Sequence, residues 1–544
     1  MALSSEIVVA FAVLAPFLAA AITPLIHKLF RAWTGWVMAL VPAIAFVLLL
    51  QLLPQIAAGQ NLTIAFDWAR AHGLSLSFFV DGLSLLFALC ISGIGCLILV
   101  YSGGYLKGHP HQARFLSFLL LFTGAMLGLV LADNTLALYA FWELTTVTSF
   151  LLIGFDHTRQ AARRAATQAL VVTLVGGLAL LVAAILMQRL TGSWNLSGIN
   201  GGPLELAGHS AYLVILPLIL LAAFTKSAQV PFHFWLPNAM EAPTPVSAFL
   251  HSAAMVQGGV YLLARLNPSL GGSALWTGIL VVFGGATMLW GAVQALSQTD
   301  LKQMLAQTTL ASLGLLVLLI GIGSEIALLA AMIYFAAHAL YKAALFLVVG
   351  IIDHETGTRD LTALGGLRDR LPITFIVAIA AAASMLGLPP LLGFFAKEEM
   401  YAAATSGGGE TLLVLAVLVA GNALVAAAAL AVALRPFMGP FVPVPKSPHE
   451  AGPGLLAGPA ILGGLGIAAG FATGWLADML LSPATSAAGG APVAVHLALG
   501  LDFSRLATWL SVATWALAGL VYWRLDAIRS LLRRNGEGQG WSLD

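Results

Sequence analysis

Apolar runs separated by short polar segments recur from one end of the chain to the other. A helix needs about 20 apolar residues to cross the hydrocarbon core of a bilayer, and about 15 runs have this length. These runs lie near 7–26, 34–53, 78–101, 114–131, 135–155, 167–188, 211–230, 246–266, 275–297, 303–323, 326–350, 373–393, 411–434, 455–475 and 504–523. The pattern predicts an all-α polytopic membrane protein with about 15 transmembrane helices. The first run is too long for a removed signal peptide and lacks its cleavage pattern, so we expect an anchored helix.

Two of the runs are interrupted by proline close to a lysine. Lys226 lies five residues before Pro231, and Lys397 follows Pro389–Pro390. Proline removes a backbone donor and clashes with the preceding turn, so each helix must stop or kink there. In lipid, the freed backbone groups have to be met by protein or by cavity water. Such breaks in corresponding positions of two halves are typical of an inverted-repeat transporter.

The positions of the breaks suggest four regions. We expect N-terminal helices 1–3 over 1–111, and a first five-helix repeat, helices 4–8, over 112–270. A second five-helix repeat, helices 9–13, follows over 271–434, and the C-terminal helices with a cytoplasmic tail occupy 435–544. The predicted discontinuous helices are then helices 7 and 12.

The composition agrees with a membrane protein and excludes several classes of function. Only 9% of the 544 residues are charged, against roughly 25% in a soluble domain. The net charge of +1 provides no basic arm for nucleic acid. Cys90 and Cys96 lie in one run without a C-x-x-C spacing, so we interpret them as small core residues. No metal site and no motif for a nucleotide, flavin or iron–sulfur cofactor is visible.

The basic residues predict the orientation of the chain. Most of the 24 lysines and arginines fall on the side of the 27–33 turn, which is therefore expected to be cytoplasmic. Few fall in loops on the opposite side: Arg70, Arg189, Arg265 and Arg505. An odd number of helices then places the N-terminus outside and the C-terminus in the cytoplasm.

Two charged residues near the first break are the first candidates for chemistry. Glu143 lies near the middle of an apolar run, where a carboxylate is costly unless it is paired or protonated. We expect it to pair with Lys226, since each charge would stabilise the other. The alternatives are that Lys226 snorkels to an interface and that Glu143 makes a structural hydrogen bond to a neighbouring helix. Asp81 begins its run, so a capping role is at least as plausible as transport.

Further titratable residues follow in the second half. His338 and Lys342 are four residues apart and share one helix face, which suggests a relay. Burial can lower the pKa of a lysine by up to about 3–5 units and a nearby carboxylate opposes this, so buried lysines suit proton transfer. We expect a polar line across the bundle, with water filling the gaps, formed by Glu143, Lys226, His251, His338, Lys342 and Lys397. One member of the 338/342 pair could instead be a satisfied polar group, and Lys302 an ordinary solvated lysine.

Several segments together resemble one protein family. They are YSGGYL, GAMLGLVLADNTLALYAFWELTTVTSFLLIGF, KSAQVPFHFWLPNAMEAPTPVSAFLHSA, HALYKAALFLVVGIIDHETGTRD, LGGLRDRLP and GLPPLLGFFAKEE. They are similar to the antiporter-like subunits shared by respiratory complex I and Mrp cation/proton antiporters. PFHFWLPNAMEAPTP, the loop DHETGTRD and PHEAGP at 448–453 resemble the A subunit of Mrp complexes more than the complex I subunit.

The resemblance implies roles for particular residues. It implies inverted five-helix repeats with broken helices 7 and 12, and a key pair formed by Glu143 and Lys226. It makes His233 a candidate for a cation-linked route. The rest of the implied proton path consists of Lys302, His338, Lys342 and Lys397.

Two features depart from the family pattern. The Mrp A subunit usually has a lysine where this chain has Gln257, in HSAAMVQGG, so the path near helix 8 is expected to run through His251 and water. Long forms of that subunit also continue into further helices, whereas this chain ends at Asp544, which suggests a short form without the C-terminal extension.

We therefore expect a subunit that exchanges protons for monovalent cations, with Na⁺ as the expected cation, across a bacterial inner membrane together with partner membrane subunits. A transporter subunit of this kind is not itself an enzyme. Two alternatives remain open at this point. One is a non-redox, proton-translocating subunit of an NADH–quinone oxidoreductase or membrane hydrogenase. The other is an energising subunit of an inorganic-carbon uptake system.

Overall fold

The structure, a computed structural model, is almost entirely helical. It describes residues 4–69, 74–201, 206–406, 411–495, 497 and 500–537. Arg70, expected on the outer side, and the end of the predicted tail at 538–544 lie outside the described residues. The helical architecture confirms the predicted all-α polytopic class.

The helices are numbered here in chain order. The first half contains α1 (Ser5–Phe30), α2 (Thr34–Leu50), α3 (Leu53–Ala57), α4 (Gly82–Tyr105), α5 (Gln112–Leu131), α6 (Thr135–Ile153), α7 (Gln160–Thr191), α8 (Leu196–Asn200), α9 (Tyr212–Lys226), α10 (Trp235–Asn238), α11 (Thr244–Ser252) and α12 (Gln257–Leu270). The second half contains α13 (Ala274–Ser297), α14 (Leu301–Ile322), α15 (Glu325–Thr356), α16 (Pro372–Leu386), α17 (Leu392–Thr405), α18 (Thr411–Leu434), α19 (Pro453–Phe471), α20 (Thr473–Leu476), α21 (Ser482–Gly489), α22 (Leu506–Trp523) and α23 (Leu525–Glu537). Short 3₁₀ turns cover Arg31–Trp33, Leu206–Gly208, Phe232–Phe234, Ala239–Glu241, Leu361–Ala363 and Leu367–Asp369, and a π-helix covers Ala477–Leu481.

Many of these helices are suited to a bilayer. Among the described residues, 12 helical stretches are long and apolar enough to cross a membrane. The first of them, Ser5–Ala57, includes both α1 and α2. Two shorter apolar helices, α9 and α16, are the first halves of the predicted discontinuous helices. The chain is thus a multi-pass membrane protein, while the count of about 15 spans and the inverted repeats stay predictions.

The core of the bundle lies around α12, α14 and α15, which are almost wholly buried. By contrast, α1, α7 and α22 leave much of their apolar surface exposed. Helices that are apolar on every side are stable in lipid or in a protein interior, so both placements fit these sequences.

The first predicted break is present. Helix α9 ends at Lys226, and the chain resumes helical turns only after Pro231. The indole Nε1 of Trp235 donates to the backbone carbonyl of Thr225 at 2.9 Å, which satisfies an acceptor freed by the break. The backbone N–H of Ser227 donates to Ala223 at 2.8 Å and closes the last turn. Protein groups therefore replace the missing helical hydrogen bonds, as an interruption within a bilayer requires.

The second predicted break is also present, between Leu386 and Leu392. Gly387 has a φ of +73°, the left-handed conformation that commonly ends a helix. The carbonyl of Leu386 receives hydrogen bonds from Lys397 Nζ at 2.6 Å and from Trp515 Nε1 at 3.1 Å. This break is thus held by the lysine that follows it and by α22.

A third break was not predicted. Helix α11 ends at Ser252 and α12 begins at Gln257, so the predicted helix 8 is interrupted within its apolar run. The hydroxyl of Ser227 donates to the carbonyl of Val256 at 2.6 Å and satisfies one of the freed groups. No proline lies between Ser252 and Gln257, so the sequence carries no local signal for this interruption.

A small β-hairpin interrupts the all-helical pattern. Strands β1 (Leu62–Ala69) and β2 (Leu74–Val80) pair antiparallel, with Leu62 opposite Val80. The prediction of helices alone missed this element, although LTIAF and LSLSF alternate apolar and polar or small residues with the period of a strand.

Candidate functional site

Lys226 reaches from the end of α9 to the neighbouring helix α6. Its side chain is fully buried. The ammonium donates to Thr145 Oγ1 at 2.6 Å, to Thr146 Oγ1 at 3.0 Å and to the carbonyl of Trp142 at 3.1 Å. It also lies 4.9 Å from the centre of the Trp142 ring. Lys226 does not snorkel to an interface, because all of its donors face protein groups of α6.

Glu143 lies on the same helix, beside these contacts, and is half-buried. The two charges interact electrostatically, but no ion pair within 4.0 Å joins Glu143 to Lys226 in the described structure. The buried Oε1 of Glu143 has no hydrogen-bond partner. A Cβ added at Gly177 of α7 would overlap this oxygen, so glycine at position 177 leaves room for the carboxylate in its present position. Glu143 and Lys226 are therefore neighbours, as predicted, but the Lys226 ammonium contacts the hydroxyls of Thr145 and Thr146 instead of the Glu143 carboxylate.

His251 and Gln257 lie on either side of the third break. Both are fully buried. Neither ring nitrogen of His251 has a hydrogen-bond partner, and Gln257 Oε1 has none either. Gln257 Nε2 donates to the carbonyl of Ser252 at 3.3 Å, so its side chain points back across the break. A Cβ added at the next residue, Gly258, would lie 3.7 Å from Cγ of Lys226.

His338 and Lys342 continue this row on α15, and both are fully buried. The Nε2 of His338 is 3.4 Å from the backbone carbonyl of His251, and its Nδ1 is 3.4 Å from the Tyr341 hydroxyl. Lys342 Nζ donates to Thr308 Oγ1 of α14 at 2.7 Å. The predicted relay pair thus lies in one buried region with His251.

Lys302 lies at the start of α14 and is only 1% exposed. Its ammonium donates to the carbonyl of Met240 at 2.8 Å and to that of Ala242. The alternative of an ordinary solvated lysine is therefore wrong. Asp300 caps the same helix by accepting from the backbone N–H of Lys302 at 2.8 Å, and its other oxygen pairs with Arg359 at 2.5 Å.

A polar cavity of about 380 Å³ opens beside Lys302. Loops on the side predicted to be cytoplasmic, where most basic residues lie, line this cavity. Asp353, Glu241 and Arg359 are among the lining residues. Burial lowers the pKa of Arg359, but the carboxylates of Asp300, Asp353 and Glu241 together outweigh this effect, and the pKa is raised overall. Arg359 therefore stays charged at the mouth of the cavity.

Lys397 follows the second break and is 2% exposed. Besides its bond to the Leu386 carbonyl, it packs against Gly387, where a Cβ would meet the lysine Cδ at 2.5 Å. Glu398, the next residue, is also buried and accepts hydroxyl hydrogens from Thr508 and Ser511. Sequence reasoning noted Glu398 only as a neighbour of Lys397, since its partners lie more than 100 residues away.

His233 lies apart from this row. It is half-buried in the 3₁₀ turn after the first break, with its ring 5.4 Å from that of Trp290. Its Nδ1 is buried without a hydrogen-bond partner. No contact within the described residues links it to the buried lysines.

One buried ion pair, between Arg265 and Asp81, was not predicted from the sequence. Arg265 was expected in an outer loop, but it lies within α12 and is 3% exposed. It makes two hydrogen bonds with Asp81, at 2.5 and 2.8 Å. Asp81 also caps α4 through Ser84, so the capping role expected for it is present. The pair joins α4 to α12, and the Asp81 carboxylate compensates the buried charge of Arg265.

The chain matches known families over much of its length. The profile described as "NADH:quinone oxidoreductase/Mrp antiporter, TM" matches residues 132–421. A second profile, "NADH-Ubiquinone oxidoreductase (complex I), chain 5 N-terminus", matches residues 68–116. Two similar proteins are the A subunit of the Na(+)/H(+) antiporter of Alkalihalophilus pseudofirmus, 41% identical over 503 residues, and the A1 subunit of the Na(+)/H(+) antiporter of Staphylococcus aureus strain JH9, 38% identical over 499. The matches cover 88% and 87% of this chain, and the chain spans 62% of the length of each relative.

Two solved structures have a similar fold. A chain of the Mrp complex from Dietzia sp. DQ12-45-1b matches with a TM-score of 0.88 at 36% identity, over 97% of this chain and 57% of that one. A chain of the membrane-bound sulfane sulfur reductase, an archaeal respiratory membrane complex, matches with a TM-score of 0.78 over 87% and 77% of the two chains. Its identity is 24%, so it supports the fold alone.

Proposed function

Because the chain belongs to the NADH:quinone oxidoreductase/Mrp antiporter transmembrane family, we propose that it forms part of a multi-subunit monovalent cation/proton antiporter, with Na⁺ as the cation. The similarity to the A and A1 subunits of Na⁺/H⁺ antiporters, at 41% and 38% identity, supports this function. Other membrane subunits of an Mrp-type complex are its proposed partners, since the matched structure is that of a complex. The proposed location is a bacterial inner membrane, with the N-terminus outside and the C-terminus in the cytoplasm.

The observation that carries the proposal is the bonding of four buried lysines. The ammonium groups of Lys226, Lys302, Lys342 and Lys397 all donate to hydroxyl or carbonyl oxygens. No carboxylate lies within 4.0 Å of any of them in the described part of the chain. An ammonium needs an opposite charge to be well stabilised away from water, so these lysines can release a proton more readily than paired ones. Such a series suits proton transfer better than permanent charge pairing.

The proposed path begins at the cytoplasmic cavity beside Lys302. From there it passes to His251 and His338. The ring Nε2 of His338 is 3.4 Å from the backbone carbonyl oxygen of His251. Lys342 and Lys397 extend it towards the second break, while Lys226 and Glu143 form the other end of the row. The unpartnered polar atoms of His251 and Gln257 are sites where water can complete the connection.

His233 has a separate proposed role. It lies on the discontinuous helix 7 yet contacts none of the lysines in the described part of the chain, so it is a candidate for the cation-linked route rather than for the proton path. The two five-helix repeats over 112–270 and 271–434 remain part of the proposal, with the breaks of helices 7 and 12 in matching places.

The test uses inverted membrane vesicles that contain the full complex, with a fluorescent probe of internal pH. Addition of Na⁺ without NADH should move protons across the membrane. Glu143→Ala and Lys226→Ala should abolish this movement at unchanged abundance, because each change removes one of the two titratable groups that form this end of the proposed path. The conservative changes Cys90→Ser and Cys96→Ser should leave it intact.

Two results would contradict the proposal. Proton movement that requires NADH and ignores Na⁺ would indicate the redox-driven alternative, which the family also includes. Normal Na⁺-dependent movement in Glu143→Ala or Lys226→Ala would remove this pair from the mechanism.

A further inference from the structure

Helix α22 has an unusual distribution of side chains. Its exposed side carries large apolar residues such as Leu506, Trp509 and Leu520. Its buried side instead carries Thr508, Ser511 and Thr514, all with 0% exposure. These three residues are spaced by three, so they lie along one face of the helix. Hydroxyl side chains on the protein-facing side of a membrane helix indicate a polar partner within the bundle.

That partner is Glu398 on α17. Thr508 Oγ1 donates to Glu398 Oε2 at 2.9 Å, and Ser511 Oγ donates to Oε1 at 2.7 Å. Each carboxylate oxygen therefore receives one hydroxyl hydrogen, and no cation lies within 4.0 Å of either oxygen in the described part of the chain. Hydrogen bonds to a carboxylate favour its ionised form, so the two hydroxyls take the place of a counter-ion.

Helix α22 also contacts the surroundings of Lys397, the residue that precedes Glu398. Trp515 Nε1 donates to the carbonyl of Leu386, which also receives the Lys397 ammonium. The residue before Trp515, Thr514, has its Oγ1 2.6 Å from the Tyr401 hydroxyl. Helix α22 thus contacts both sides of the second break and the first turns of α17.

The position of Glu398 along the membrane follows from the course of these helices. Helix α16 begins near the basic loops that contain Arg368 and Arg370, and α17 continues away from them after the break. Ser511 is six residues from Arg505 at the start of α22, which is about 9 Å along the helix. Glu398 therefore lies between Lys397 and the side of the bundle opposite the cavity at Lys302.

From these contacts we infer that Thr508 and Ser511 are positioning residues, which hold Glu398 as an ionised proton acceptor beside Lys397. The inference rests on the proposed function, in which Lys397 belongs to the proton path. A proton leaving Lys397 then has an oriented carboxylate as its next acceptor on that side. The titratable groups that interact with this carboxylate are Glu399 and Tyr401, both on α17. Arg505, at the start of α22, interacts with the neighbouring Glu399, and Lys397 directly precedes Glu398 in the chain. Helix α18 adds the neutral Asn422, which donates to Met400.

The test compares variants that differ only in hydroxyl groups. Thr508→Val with Ser511→Ala removes both donors to Glu398. Thr514→Val is the matched control, because it removes a buried hydroxyl of the same face that bonds Tyr401 instead. Thr508→Ser keeps a donor and should restore the behaviour of the wild type. All variants are purified as the full complex and compared for abundance and thermal stability.

The main measurement is infrared difference spectroscopy during a pH titration. The carboxyl band of Glu398 is assigned by its loss in Glu398→Gln. Without the two donors, the protonated carboxyl should appear at a pH at least about one unit higher than in the wild type, a tenfold change in proton affinity. In Thr514→Val the band should appear at the same pH as in the wild type. The single variants Thr508→Val and Ser511→Ala should each give a smaller shift, which keeps the test valid if the double variant is unstable.

Exchange activity is the second measurement. The pH dependence of Na⁺-triggered proton movement should shift in the same direction in the double variant. An unchanged infrared titration in the double and single variants would overturn the inference and leave α22 as a packing element. An absence of exchange in the wild-type complex would instead refute the proposed function, and the infrared titration separates the two failures.

Discussion

At the scale of single residues, Gly177 determines how Glu143 is accommodated. Any Cβ at this position would overlap Glu143 Oε1. Gly177→Ala should therefore displace the carboxylate and strongly reduce Na⁺-dependent proton movement. Gly278→Ala in α13 is the control, because a Cβ there meets no atom within 4 Å and alanine favours a helix by about 1 kcal/mol. Equal activity of Gly177→Ala and Gly278→Ala in vesicles would show that transport does not depend on the position of the Glu143 carboxylate.

Gln257 is the residue at which this chain departs from its family. An amide can hydrogen-bond water but cannot take up a proton near neutral pH, so His251 should be the titratable group of this segment. His251→Ala should be severe and Gln257→Ala mild, and Gln257→Lys should partly rescue His251→Ala. The measurement is the pH profile of exchange for the three single variants and the double variant.

The contacts around this break sharpen the prediction. Both ring nitrogens of His251 and the Oε1 of Gln257 have no protein partner. In Gln257→Lys, the unpartnered acceptor nitrogen of the His251 ring is a possible partner for the ammonium, which favours tolerance of the single variant. An unchanged pH profile in His251→Ala would remove His251 from the path and leave this segment as a packed, water-lined core.

At the scale of elements, two loops that resemble those of the Mrp A subunit contact each other. In DHETGTRD, Glu355 is 7% exposed and lies 2.9 Å from His354 Nδ1 and 3.4 Å from His449 Nδ1 of the PHEAGP segment. Lys446, just before that segment, donates to the carbonyl of His354 at 2.8 Å. The loops were identified separately in the sequence, and the fold joins them at the end of α15.

Glu450 of the same segment stabilises the start of α16. Its carboxylate accepts from the backbone N–H of Ile373 at 2.7 Å and from the Thr374 hydroxyl at 2.7 Å. Removing such a cap typically costs about 1 kcal/mol. Glu450→Ala should lower the thermal unfolding midpoint of the purified complex, and Glu450→Gln should lower it less.

A matched control for Glu450 is Glu325→Ala. Glu325 also lies at a helix start, but the capping hydrogen bond of that helix is accepted by the Ser324 side chain and not by Glu325. Equal losses of stability in Glu450→Ala and Glu325→Ala would contradict a specific capping role.

At the scale of the whole molecule, the orientation of the bundle is open to direct test. In a background of Cys90→Ser and Cys96→Ser, single cysteines are introduced at the exposed positions Gln60 and Ser447. A membrane-impermeant maleimide added to intact cells should label Gln60→Cys and should not label Ser447→Cys. Labelling of Ser447→Cys alone would reverse the proposed orientation.

Properties that depend on local composition could be predicted from the amino-acid sequence. Apolar runs predicted the helices, because any segment of sufficient length and hydropathy is stable in a bilayer. Pro231 and Pro389–Pro390 predicted two breaks, because a missing donor interrupts a helix whatever surrounds it. The buried lysines were identified for a similar reason, since a charge within an apolar run requires a partner or a function.

The contacts between these elements, by contrast, depend on how the helices pack. Lys226 contacts Thr145 and Thr146 rather than the Glu143 carboxylate, and these partners lie 80 or more residues away. Arg265 pairs with Asp81, 184 positions earlier. Helices that are apolar all round carry little information about which face is buried, because lipid and protein interior are equally favourable for them. The rotation of each helix, the third break and the hydroxyl face of α22 therefore follow from packing, which hydropathy does not encode.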